Sequence, residues 1–465
     1  MTQLRRAILV LSVFLLAALP AAAQVDTGSA DFSRFVALGD SLTQGFTNGG
    51  VVRGVQVNSI PALIARQAGV PDFEQPLISA PGIPPLLVIQ SLAPPVIVPR
   101  PGAGAPLNLN LPRPYDNLAV SGFDVRDVLV TRTGNPLIDI TLRGLGTALE
   151  LAAVQQPSLA YVWIGNNDVL GAATSGIDID GVPLTPAAQF RADLTAIVNT
   201  LRGVGADLVM ANIPDVTGIP FVSTIPPVVV NPQTQQPVLG PNGQPIPLIG
   251  PNGPLNPATD RVLLTATAEL ARGLGIPPAL GGTGPLSDSS VLSGNEIARI
   301  RERTQALNAI IRDLANASGA AFFDANAFFA EVAADGFDVG GIELTTDFLT
   351  GGIFSYDGVH PTPLGYAVIA NGFIETINAH FGGDIPLVNL NPFLFDPQVG
   401  GAGAILPPGT PVRSTLFTEA AARSLKEGLR VPQPEELQGS EPRPILPKRG
   451  SGLSPDHPIF ERPVN

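Results

Sequence analysis

Short apolar runs that stop at a glycine or a polar turn alternate along this chain with helix-like stretches of fifteen residues or more. That alternation constrains the fold most. Strands are predicted at Phe35 to Leu38, ending at Gly39, at Leu159 to Ile164, closing on Gly165, and at Asp207 to Ile213 and Ala320 to Phe323. Helices are predicted over Thr141 to Gln156, Thr185 to Val204, Asn295 to Ala317 and Pro363 to Phe381. In the second helix Phe190, Leu194, Ile197, Val198 and Leu201 share one face, with Pro186 near the start, where a missing N–H is harmless. Apolar strands joined by long helices imply a parallel sheet covered on both faces. The fold class is α/β: a three-layer α/β/α sandwich with a mostly parallel central sheet.

Two proline-rich segments interrupt the pattern. Residues 75–114 and 219–257 carry eleven prolines each, too many for a helix or a central strand. The second contains Gly240-Pro241-Asn242-Gly243 and Gly250-Pro251-Asn252-Gly253, turn sequences that frame a small hairpin or a pair of turns. Both segments read as surface insertions, or else as a cover that lends an apolar wall to a binding site. Residues 384–465 hold fourteen further prolines and little periodicity beyond a short helix at Thr418 to Leu429, so an extended or partly disordered tail is expected there. The core domain is then 24–383.

At the amino terminus Arg5 and Arg6 precede an apolar run from Ala7 to Leu19, followed by Pro20 and Ala21-Ala22-Ala23. This is the pattern of a secretory signal peptide over residues 1–23, cleaved to leave Gln24 first; an uncleaved anchor is the alternative. The run is shorter than the ~20 residues a membrane span needs. Export follows, to the periplasm, the cell surface or the medium. No transmembrane span is expected in the mature chain.

Composition narrows the chemistry. A net charge of −13 argues against nucleic acid, which needs clustered Lys and Arg. Lysine occurs only at 426 and 448, so a Gly-Lys-Ser/Thr phosphate loop cannot exist. With no Cys and only three His, no disulfide can form and no structural zinc site or other metal is expected.

Three motifs stand where predicted elements end or begin: Gly39-Asp40-Ser41-Leu42-Thr43-Gln44-Gly45, Gly165-Asn166-Asn167-Asp168, and Asp357-Gly358-Val359-His360-Pro361. A serine leaving the carboxyl end of a parallel strand lies in the crevice where α/β proteins bind ligands. Its hydroxyl becomes a useful nucleophile only when an imidazole takes its proton, and a carboxylate holds that imidazole in the right tautomer. Asn167 offers amide N–H groups of the kind that stabilise an oxyanion. Taken singly, each motif reads more simply as a helix cap or turn. Around them, Asp40 is read as a loop brace, Asp168 as bonded to its own turn and Asp324 as a cap. His380 sits near a helix end, His457 in the tail and Trp163 in the core.

Together and in this order, the motifs resemble the SGNH, or GDSL, hydrolase family. Gly39-Asp40-Ser41-Leu42 matches its first block, Asn117-Leu118-Ala119-Val120-Ser121-Gly122 the second, Gly165-Asn166-Asn167-Asp168 the third, and Asp357 with His360 the last. The resemblance spans roughly Phe35 to Phe381 and implies a flavodoxin-like sheet. It also implies Ser41 as nucleophile, His360 as base and Asp357 as its orienter, a role that a backbone carbonyl can share. An oxyanion hole would come from the Ser41 and Gly122 backbone N–H groups and the Asn167 side chain. The spacing from Asn167 to His360 is long for the family's small members, which leaves pocket shape open. The Gly-x-Ser-x-Gly elbow of the α/β-hydrolases is absent.

The function expected is secreted hydrolysis of carboxylic esters, lipid or acyl esters first, with no cofactor and a small-molecule or lipid ester as partner. An acyltransferase or a carbohydrate deacetylase would use the same residues. A non-catalytic surface-binding protein is the reading from another class, and it would not require all four of Ser41, Asn167, Asp357 and His360. The oligomeric state is left open.

Overall fold

The computed structural model describes residues 25–92, 94–395 and 412–430. The expected signal peptide and most of the proline-rich tail lie outside the described residues. Four parallel strands form the central sheet: β1 (Phe35–Gly39), β2 (Leu159–Trp163), β3 (Asp207–Ala211) and β4 (Ala321–Phe323), side by side in that order. Phe35 pairs with Leu159 and Gly39 with Trp163, so β1 and β2 end level with one another. Both strands are buried along their whole length, as continuous apolar runs in a parallel sheet should be.

A parallel bridge from Asn117 to Ala37 adds an edge on the far side of β1. With that segment counted second in sequence, the strand order becomes 2-1-3-4-5, the flavodoxin-like order. The chain leaves β1 towards one edge and then returns to build the sheet on the other side. The carboxyl end of β1, where Ser41 emerges, is therefore the topological switch point at which such sheets bind ligands.

Helices fill the crossovers. A single turn, α1 (Ser41–Gln44), opens at the end of β1, and α2 (Ile60–Gln67) follows. Helix α3 (Ala148–Val154) leads into β2 and α4 (Asn167–Ser175) leaves it; α5 (Ala187–Gly203) leads into β3. Helix α6 (Gly294–Ser318) leads into β4, α7 (Ala325–Asp335) leaves it, and α8 (Pro363–Phe381) packs back across the sheet. Helix α5 packs on α3 and α6, whereas α8 packs on α2, giving two helical layers around the sheet.

Local sequence explains the limits of these helices. In α6, Ser293 and Glu296 form a reciprocal capping box and Gly319 closes the helix at φ +68°. Buried Ile297, Ile300, Thr304, Leu307, Ile310 and Ile311 follow the three-and-four spacing of one helical face. Helix α8 begins on Thr362 with Pro363 in its first turn. Its Phe373 meets Tyr161, Trp163 and Phe323, and this aromatic cluster puts Trp163 in the core. The helix expected over Thr141 to Gln156 is instead two, Pro136–Leu142 and α3. Arg143 and Gly144 both take positive φ and stop the first, and a Thr147–Glu150 capping box starts the second.

The proline-rich insertions form small peripheral sheets. Leu87–Leu92 and Pro95–Pro99 make a hairpin with prolines at the ends of its second strand, which leaves Val96 to Val98 free to pair. In the second insertion, Gly250 and Gly253 pair across Pro251-Asn252, and Leu239 bridges Pro245 around the other turn. From the tail, Leu416–Phe417 adds a parallel strand to the hairpin, and α9 (Glu419–Leu429) follows, capped by Thr418. No helix among the described residues is long and apolar enough to cross a membrane.

Candidate active site

Ser41 opens α1 immediately beyond β1 and is 3% exposed. Gly45, at φ +82°, ends the turn after four residues, so the helix is no more than a pedestal for the serine. Asp40 holds the turn from below. One carboxylate oxygen accepts from Leu42 N–H at 3.0 Å and the other from the Asn166 amide at 2.8 Å. Burial pushes the Asp40 carboxyl up to about 6, against the pull of those two hydrogen bonds and of His360. Its place is that of a brace tying the Gly39–Gly45 motif to the Gly165–Asp168 motif.

His360 and Asp357 lie on the loop that precedes α8, and both are fully buried. His360 Nδ1 stands 3.0 Å from Asp357 Oδ2. The same carboxylate accepts Val359 and His360 N–H on Oδ1 and Gly49 N–H on Oδ2, each at 2.8 Å. Burial works to raise this carboxyl as well, but the His360 ring and the hydrogen bonds outweigh it and hold it below the usual range. Two further contacts stitch the loop to the segment after α1: Thr47 Oγ1 donates to Pro361 O and Asn48 N–H to Ser355 Oγ. The Phe46 ring backs the imidazole, their centroids 4.5 Å apart. The outer nitrogen, His360 Nε2, is buried and has no partner among the described residues.

Ser41 and His360 line one cavity of about 300 Å³. Its walls are largely apolar: Leu42, Val216, Ile219, Phe329, Phe354 and Val359 are among them. Apart from Ile219 at its border, neither proline-rich insertion reaches this lining. The insertions are peripheral, and the apolar wall comes from α1, the segment after β3, α7 and the loop before α8. Helix α7, with Phe329, Ala330 and Ala333 on the cavity, was not anticipated from sequence, although Asp324 ahead of an alanine-rich run was a readable cap. Asp324 does cap α7, accepting Ala327 N–H while paired with Arg312.

Gly122 and Asn167 are brought together elsewhere, around a smaller neighbouring cavity that shares Leu170 with the first. The Asn167 amide donates to Phe123 O at 2.8 Å, while its neighbour Asn166 faces the larger cavity. Neither the Ser41 N–H nor the Gly122 N–H meets an acceptor among the described residues. Asp168 sits behind them, accepting Val125 N–H, its carboxyl pushed well above the usual range by burial and by the Asp124 charge. His380 lies in the last turn of α8 against Phe381, far along the helix from the loop at 357–360, and His457 is outside the described residues. Among the described residues no group of three or more His, Asp or Glu is placed to hold a metal ion.

The chain is similar to several solved structures. An acetylxylan esterase from Geobacillus stearothermophilus is 14% identical, with a TM-score of 0.33, over 74% of this chain and 93% of its own. An extracellular lipase from Streptomyces rimosus and a phospholipase A1 from Streptomyces albidoflavus are each 16% identical, with TM-scores of 0.31, over 74% of this chain and 98% of theirs. No curated protein matches the sequence. The model of the GDSL-like lipase/acylhydrolase family matches residues 35–373, from the start of β1 into α8. That stretch holds all four motif blocks, and the chain belongs to this family of SGNH hydrolases.

Proposed function

We propose that the protein hydrolyses carboxylic esters carrying an apolar acyl group, through an acyl-enzyme on Ser41. The observation that carries this reading is the unpartnered His360 Nε2. It is buried, His360 lines the same cavity as Ser41, and Asp357 occupies Nδ1. A carboxylate on Nδ1 keeps the proton there and leaves Nε2 as the base. His360 takes the Ser41 proton as Oγ attacks the ester carbon and later returns it to the leaving alcohol. Water, activated by the same nitrogen, releases the acid.

The developing oxyanion would be held by the Ser41 and Gly122 N–H groups and by Asn167. An amide nitrogen carries two hydrogens, so Asn167 can keep its bond to Phe123 O and still donate a second. The preference for apolar esters rests on the lining of the cavity, whose volume is at the lower end of the ligand-pocket range. Export through residues 1–23 belongs to the same reading, and amino-terminal sequencing of the exported protein should find Gln24 first.

The test is turnover of p-nitrophenyl esters from acetyl to palmitoyl by the wild type and by Ser41→Ala. Activity that rises beyond acetyl and disappears in the variant supports the proposal. An acetyl optimum would favour a deacetylase, and equal activity in both proteins would remove Ser41 from the mechanism.

A further inference from the structure

Helix α9, the last of the described helices, ends against the two halves of the candidate site. Ser121 Oγ donates to Gly428 O at 2.7 Å, and Ser121 N–H donates to the Gln44 side chain on the pedestal of Ser41. A Cβ added to Gly122 would stand 2.7 Å from Leu429 O and 2.9 Å from Arg430 Cβ, so the tail lies directly on the second motif block. Arg430 pairs with Asp127 at 2.8 Å, sits over the Phe123 ring, and with Leu429 forms part of the wall of the smaller cavity. On its other side Gly428 touches Phe46: a Cβ there would come within 2.6 Å of the ring that backs His360.

From these contacts we infer that the turn Gly428–Arg430 is a working part of the active site, setting both the Gly122 peptide and the His360 ring. The inference rests on the ester-hydrolase reading. Gly428 and Arg430 act through Phe46, Ser121 and Phe123 and are positioning residues, touching neither the serine nor the substrate. The anchoring of α9 suits this role. Phe417 is fully buried, Leu425 nearly so, and Leu416–Phe417 is paired with the hairpin. The helix ends where absence of a side chain matters: a Cβ at Gly428 would stand 2.6 Å from Phe46, so the ring that backs His360 would have to shift.

The experiment compares full-length wild type with Arg430→Ala, Arg430→Lys and Gly428→Ala. Competent serines are counted by a fluorophosphonate burst, so that kcat is expressed per reactive Ser41 and melting is followed separately. Small displacements of catalytic groups cost up to about a hundredfold. Arg430→Ala and Gly428→Ala should therefore lose about tenfold or more in kcat with KM within about twofold, and Arg430→Lys should recover much of the loss. Unchanged kcat per labelled serine in both alanine variants, with lowered melting temperatures, would make α9 structural only and overturn the inference. A wild type with no Ser41-dependent turnover would instead overturn the hydrolase reading, and this inference with it.

Discussion

Asp357 and His360 are joined twice: the carboxylate meets the imidazole Nδ1 at 3.0 Å and accepts the backbone N–H of the same histidine at 2.8 Å. One side chain thus fixes both the ring and the peptide that carries it. Asp357→Asn can keep an oxygen for the two backbone donors on Oδ1, but its NH₂ would then face Gly49 N–H and the ring nitrogen. Two donors would oppose each other, and the imidazole would be forced towards the wrong tautomer. The expected loss in kcat is about 10⁴-fold, the scale of the equivalent change in serine proteases. Steady-state kinetics on the preferred ester measures it.

The same carboxylate sets a pH dependence of stability. Its folded pKa lies below the unfolded value of about 3.9, so its contribution is complete above that value and is lost as pH falls through the folded pKa. Asp40 runs the other way. With a folded value of about 6 it binds more protons in the native state between about 4 and 6, so stability falls as pH rises through that window. The charged form costs on the order of 3 kcal/mol above pH 6. Asp40→Asn should remove this slope, because Asn166 Oδ1 has no partner among the described residues and its amide can turn to accept from the new NH₂. Denaturant midpoints at pH 4, 5, 6 and 7 should decline for the wild type from pH 4 to 6 and stay flatter for the variant. Parallel curves would show that Asp40 is charged throughout.

Much of this arrangement was legible in sequence where local rules act alone. The strands ending at Gly39 and Gly165 are continuous apolar runs, and α6 and α8 declare themselves through Ser293, Thr362 and their closing glycines. Motifs attached to those ends inherit their positions. Helix α7 was harder because Phe328, Phe329, Ala330, Val332 and Ala333 spread apolar character around it, leaving no clear stripe to read as helical. The contact between Gly122 and Arg430 joins residues some 300 apart in sequence, and nothing local announces it. The division between Asn166 and Asn167 is likewise a matter of side-chain direction, which residue order does not supply.

The cavity wall makes a further prediction. Ala330 lies on the cavity lining but is exposed, so a larger side chain there can project over the opening without disturbing the core. Ala330→Phe should exclude the far end of a long acyl chain. Each buried methylene contributes about 0.8 kcal/mol, so excluding two or three should lower kcat/KM for long-chain esters by about 10- to 100-fold and leave acetyl esters near their wild-type rate. A uniform loss across the p-nitrophenyl series would mean that the chain does not run along α7.

Asn166 and Asn167 can be separated by alanine substitution. In the proposed mechanism Asn167→Ala takes one donor from the oxyanion, and a single such donor is worth about 10²–10³ in kcat. KM should change little, because the ground-state carbonyl gains less from that contact than the oxyanion does. In Asn166→Ala the lost bond is the 2.8 Å contact to Asp40, so the effect should fall on stability and its pH dependence. With one hydrogen bond to the charged form removed, the Asp40 carboxyl should rise further above 6, and the loss of stability with rising pH should extend to higher pH. Kinetics and melting curves of the two variants, taken side by side from pH 5 to 8, carry the distinction. If Asn166→Ala shows the large kcat defect and Asn167→Ala does not, the oxyanion donor is the asparagine facing the larger cavity.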